Sequence, residues 1–156
     1  MIGRRRGRHT EPPHTPPVPT ARRGREHVLV LGTSPKAIPV ARRAAELAFT
    51  AWGVAPRATV LGAAQLIVTE LVTNTVRHAA ERSPAIGLTL ALTDDHLDIA
   101  VHDDHPRLPV AAPGGGLALI ADLARDFDGA LTITPDHDGP GKTIRVLLPL
   151  TPAPAP

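Results

Sequence analysis

Thr69-Glu70-Leu71-Val72-Thr73-Asn74-Thr75-Val76-Arg77-His78 closes the longest helical pattern in the chain. Upstream of it and through it, apolar residues fall at Val60, Ala64, Ile67 and Leu71, and again at Leu61, Val68, Val72 and Ala79. That is the 3.6-residue period of a helix with a wide buried stripe. It predicts a helix over residues 57–80, opened by Pro56 and stopped by Ser83-Pro84. On this helix Glu70, Asn74 and His78 are four residues apart and share one face, at the edge of the apolar stripe. An amide oxygen one turn from a carboxylate suits a hard cation such as Mg²⁺, which takes few protein oxygens and completes its shell with phosphates and water. The carboxylate is then free to orient or deprotonate a nucleophile. An ordinary polar helix face with i,i+4 pairs has the same spacing.

Working outward, His27–Leu31 reads as a short buried strand ended by Gly32. Ser34-Pro35 reads as the N-cap and first position of a helix that runs through ARRAAELAFTAW and is closed by Gly53. After Ser83-Pro84, Ile86, Leu88, Leu90 and Leu92 alternate with other residues, Asp94-Asp95 turns, and Leu97, Ile99 and Val101 alternate again. Period-two alternation on either side of a turn is a hairpin. A proline- and glycine-bearing loop from Asp103 to Gly116 precedes a short helix, LALIADLARDF. Leu131 and Ile133 mark a strand, His137–Gly141 a turn, and Ile144, Val146 and Leu148 a last strand. Helices cluster early and hairpin-connected strands late. The expected fold is an α+β two-layer sandwich: a mixed, mainly antiparallel sheet with helices on one face.

Composition narrows the function. The chain has 156 residues, no Cys, no Tyr, one Trp and two Phe. Without Cys there is neither a disulfide framework nor a thiolate zinc site. With so few rings, a base-stacking aromatic sheet is excluded. Residues 1–27 carry seven Arg against Glu11 and Glu26, while the remainder is net acidic. Residues 1–26, rich in Arg and Pro, are expected to be a disordered basic tail, and 151–156 a short proline tail, around one domain at 27–150. The tail is either a solvated extension or an arm for nucleic acid or an acidic partner. Its arginines are followed by prolines, unlike a secretory leader, and no uncharged apolar window is long enough for a membrane span. A soluble, cytoplasmic protein without a membrane partner is expected.

Further candidates come from the second half. Asp103 ends the strand LDIAVHD and can accept a hydrogen bond from the amine of a purine base, although a turn-forming Asp has the same appearance. Gly114-Gly115-Gly116 directly precedes a helix, whose free N–H groups and positive dipole end suit phosphate; a flexible linker ending in a cap is the alternative. GPGKT at 139–143 is not a P-loop: position 136 is Asp where Gly is required, and a strand pattern follows instead of a helix. His102, Asp103, Asp104, His105 and His137 meet no recognised metal-ligand spacing.

In order, these pieces resemble the ATPase domain shared by gyrase, heat-shock chaperones, histidine kinases and MutL, which has the Bergerat-type ATP-binding fold. T-E-L-V-T-N-T-V-R-H resembles its N box, H-D-D-H-P at 102–106 stands at its first glycine box, and G-G-G-L-A-L-I at 114–120 resembles the second. G-K-T at 141–143 resembles the entry to the final strand. The nearest likeness is to the single-domain anti-sigma-factor serine kinases. The chain's use of Arg and Ala, with Lys36 and Lys142 as its only lysines, suits high-GC bacteria.

The resemblance implies ATP and Mg²⁺ as cofactors. Asn74 would coordinate Mg²⁺, and Glu70 would be the general base for a serine hydroxyl. Arg77 and His78 would lie near the phosphates, Asp103 would bind the adenine amino group, and Thr143 would support that contact. Gly114, Gly115, Gly116 and Leu117 would form the hinge of an ATP lid and its phosphate contact. The family's first box is Asp-x-Gly-x-Gly; here Asp103-Asp104-His105-Pro106-Arg107 lacks both glycines. Three functions follow as expectations. One is a serine/threonine protein kinase acting on an anti-anti-sigma partner and binding a sigma factor, as a homodimer if it follows its relatives. The second is a non-catalytic module that sequesters a partner, with ATP structural or absent. The third is nucleic-acid binding through residues 1–26.

Overall fold

The computed structural model describes residues 24–54 and 58–150. The expectations placed on residues 1–23, on Pro56 and on the tail 151–156 lie outside them. The elements are β1 (Arg25–Gly32), α1 (Ala37–Ala51), α2 (Ala58–His78), β2 (Ala85–Leu92), β3 (His96–Asp103), α3 (Gly116–Asp126), β4 (Ala130–Pro135) and β5 (Lys142–Pro149). The strands form one sheet in the order β1-β2-β3-β5-β4. Every pairing is antiparallel, so the sheet is not mixed as expected. Turns join β2 to β3 and β4 to β5, α1 and α2 lie between β1 and β2, and α3 carries the chain from β3 across to β4, with β5 returning between those two strands.

Period-two alternation builds the core. Leu97, Ile99, Val101 and Asp103 of β3 are buried, and their register partners on β5 are Leu148, Val146, Ile144 and Lys142, also buried. Ile86, Leu88 and Leu90 of β2 continue the same face. The stripe read on α2 faces them: Ala64, Ile67, Val68, Leu71 and Val72 are fully buried, and all five belong to one core with Phe49 of α1 and Ile120 of α3. By length and composition Thr59–His78 could cross a membrane, at mean hydropathy 1.3. Here its apolar stripe packs into the core, and it carries Glu70 and Arg77. The opposite face of the sheet carries Asp98, His102, Thr143 and Arg145, beside the exposed Val28 and Val30 of β1. Arg145 grips Asp98 with both Nε and Nη2, and those hydrogen bonds hold the guanidinium above its ordinary pKa against the lowering effect of burial.

Several local expectations change. β1 is an edge strand rather than a buried one: Val28 and Val30 are exposed, and only Leu29 and Leu31 pack on the core. Its backbone pairing with β2 extends past the apolar run, so Arg25 and Glu26 belong to the domain and not to the tail. Ser34-Pro35 forms a turn before α1, closed by Ala37 N–H to Ser34 O at 2.9 Å, and Lys36 is the N-cap. The far end of α1 follows the sequence. Val54 N–H reaches Phe49 O at 2.9 Å and Gly53 N–H reaches Thr50 O at 3.0 Å, the paired bonds of a Schellman motif with Gly53 left-handed.

Candidate functional site

The last turns of α2 carry Glu70 and Asn74 half-buried on the face that α3 approaches, with Arg77 and His78 exposed beyond them. The approach is close at one residue. A Cβ added to Gly116 would lie 2.6 Å from Glu70 Oε2 and 3.3 Å from Asn74 Oδ1. Glycine at this position lets the first turn of α3 come down on that polar pair with the Glu70 carboxylate where it stands. Neither Glu70 nor Asn74 forms a hydrogen bond to another described residue. The N-cap of α3 is Gly115, in extended conformation, with no side-chain hydrogen bond to the first turn. The first N–H groups of the helix, with the positive end of its dipole, therefore stand uncapped beside a carboxylate and an amide. Gly114 precedes them with φ +75°. Leu117 follows in the first turn of α3. Its side chain is buried in the core beside Ile120, so only its backbone in the first helical turn is left for a ligand.

The second part of the site is at the end of β3. Asp103 is 3% exposed and lies on the helix-facing side of the sheet. Its Oδ1 accepts from Lys142 Nζ at 2.6 Å and from His105 N–H at 2.9 Å. Lys142 Nζ also donates to His105 O at 3.1 Å, and Arg107 N–H donates to His105 Nδ1 at 3.0 Å. The segment without glycines thus owes its shape to side-chain bonds centred on Asp103. Asp104 is exposed, and its N–H donates to the hydroxyl of buried Ser83 at 3.0 Å, which ties this segment to the turn after α2. The carboxyl ends of α2 and β3 therefore lie at one end of the sandwich.

Thr143 is a correction. Lys142 is the register partner of Asp103 and is buried with it, so Thr143, one residue on, alternates to the other face opposite His102. It cannot support a contact made by Asp103. Lys142 is the residue that sequence reading missed, although its phase with Ile144, Val146 and Leu148 marks it as inward-facing. His102 bonds Asp136 on the outer face at 2.8 Å, and among the described residues no three His, Asp or Glu side chains come together as a metal site.

Residues 32–147 match the family model of the histidine kinase-like ATPase domain. The chain belongs to this family. Among solved structures, the ATPase domain is similar to the mycobacterial sensor histidine kinase MprB, at 23% identity and a TM-score of 0.44, over 60% of this chain and 76% of that one. It is also similar to the histidine kinase domain of the blue-light-activated kinase EL346 from Erythrobacter litoralis, at 23% identity and a TM-score of 0.47. That likeness covers 59% of this chain and 45% of the other. No curated protein matches.

Proposed function

We propose that this ATPase domain binds ATP with Mg²⁺ and serves in the cytoplasm as a regulatory serine/threonine protein kinase on an anti-anti-sigma partner. The observation that carries the reading is the junction of α2 and α3: two half-buried, unpartnered polar side chains under an uncapped, glycine-started helix. Phosphate oxygens would accept from the first-turn N–H groups of α3. The Asn74 amide oxygen suits Mg²⁺, which when bound neutralises phosphate charge. No cluster of three acidic or His ligands is present among the described residues, so phosphate and water would complete the shell, as this ion prefers. Glu70 would take the proton of an attacking hydroxyl. Arg77 adds positive charge at the end of α2, and His78 adds an imidazole beside it. Asp103 would accept from the adenine amino group.

A second reading is favoured by one observation: the Asp103 carboxylate is already engaged by Lys142. In that reading the domain sequesters a partner, a sigma factor or a second copy included, without turnover. Calorimetric titration with ATP and Mg²⁺ tests the nucleotide claim. Wild type should bind and Asn74→Ala should not; a silent wild type, or an unaffected Asn74→Ala, refutes it. Phosphate transfer to the partner that is lost in Glu70→Gln, with nucleotide binding retained, supports the kinase. Partner capture by wild type with no transfer supports the sequestering module.

A further inference from the structure

Lysine is among the residues least often buried, yet Lys142 is 5% exposed. It stands on the one face of β5 where its companions are Ile144, Val146 and Leu148. Such a residue is held only by bonds that compensate its desolvation. Lys142 has two: to Asp103 Oδ1 and to His105 O. Together they draw the ammonium and the start of the following loop over the Asp103 carboxylate. We propose that Lys142 is an internal competitor for the base-recognising carboxylate, and that it sets the affinity of this site for an adenine nucleotide. This inference rests on the nucleotide reading above and adds the residue that restrains it.

The competition is direct. Both hydrogen bonds made by Asp103 fall on Oδ1, one of them from a cation at 2.6 Å. An exocyclic amine is a neutral donor and brings a weaker bond than an ammonium. An amine that reaches Oδ1 must displace Lys142, and one that reaches Oδ2, which accepts no bond from a described residue, meets a carboxylate whose charge the ammonium already offsets. The surrounding backbone cannot yield instead. Gly141 lies so close to the end of β3 that an added Cβ would stand 2.6 Å from Asp103 O. Asp103 and Lys142 are register partners in that tight pairing. What can move is the flexible four-carbon stem of the lysine. At either oxygen the ammonium takes up part of the carboxylate's acceptor strength, so the nucleotide gains less from the base contact and its apparent affinity falls.

The test is calorimetric titration of the full chain with Mg²⁺ and ATP, comparing wild type with Lys142→Thr and Lys142→Gln. Thermal unfolding by circular dichroism confirms the fold of each. Removing the competitor should tighten ATP binding roughly tenfold to hundredfold, the scale of one charge-assisted hydrogen bond. The gain should vanish for the triphosphate of unsubstituted purine, which has no exocyclic amine. Lys142→Gln keeps a neutral donor of similar reach and carries the test if the threonine variant does not fold. Equal or weaker ATP binding in the variants, beside measurable binding in wild type, overturns the competitor and leaves the nucleotide site standing. No binding by wild type or by either folded variant refutes the nucleotide reading and the competitor with it.

Discussion

Gly116→Ala separates stability from function at the junction of α2 and α3. The added Cβ would start 2.6 Å from Glu70 Oε2, where ordinary contact begins near 3.4 Å. The carboxylate must therefore retreat by about 0.8 Å, the difference of those two distances. The obstructing atom is the end of a flexible side chain, so retreat is cheap. Alanine is also the better helix former, by up to about 1 kcal/mol. Urea unfolding should place the variant within about 1 kcal/mol of wild type. Function should respond in the opposite sense, because a catalytic group misplaced by close to 1 Å loses on the order of a hundredfold in rate. ATP turnover at saturating nucleotide should fall by about that factor. In a Glu70→Gln background the same substitution should add almost nothing, since both act through one carboxylate. Turnover within about twofold of wild type, in a folded Gly116→Ala protein, would refute the placement of Glu70 as the proton acceptor. Strong destabilisation would show that the atom in the way cannot move.

Three further outcomes follow from burial. Lys142→Met leaves Asp103 buried without its cation and should cost about 3–5 kcal/mol by urea unfolding, whereas the double variant Lys142→Met with Asp103→Leu should recover most of it. Ser83→Ala removes a fully buried hydroxyl that donates to Ala85 O and accepts from Asp104 N–H, so it should cost about 1–3 kcal/mol and loosen the segment after β3, read as faster amide exchange at Asp104. Arg145→Ala breaks a pair whose arginine is half exposed and should cost under about 1 kcal/mol, less at high salt.

The strongest periodicities carried most of the fold. The α2 stripe and the alternation of Ile86–Leu92 against Leu97–Val101 are set by core packing that a period reports directly, and both elements formed where the pattern put them. The errors share a cause: the pattern does not say what lies beside a strand. VLVL at 28–31 is a continuous apolar run, as in a central strand, but β1 has a neighbour on one side only. The polar pair Glu70 and Asn74 was legible from spacing; its closeness to Gly116 was not, because it depends on how α3 crosses α2. At the end of β5 one residue of phase decided the site. Reading G-K-T for its threonine passed over the lysine that alternation turns inward. The ion pair between Asp103 and Lys142 spans 39 positions in sequence, and no local signal announces it.

The most direct measurement is a crystal structure of the full chain with Mg²⁺ and a non-hydrolysable ATP analogue. The account predicts the metal about 2.0–2.1 Å from Asn74 Oδ1 and phosphate oxygens against the first turn of α3. A nucleotide bound elsewhere, with Glu70 and Asn74 still facing only Gly116, would contradict it.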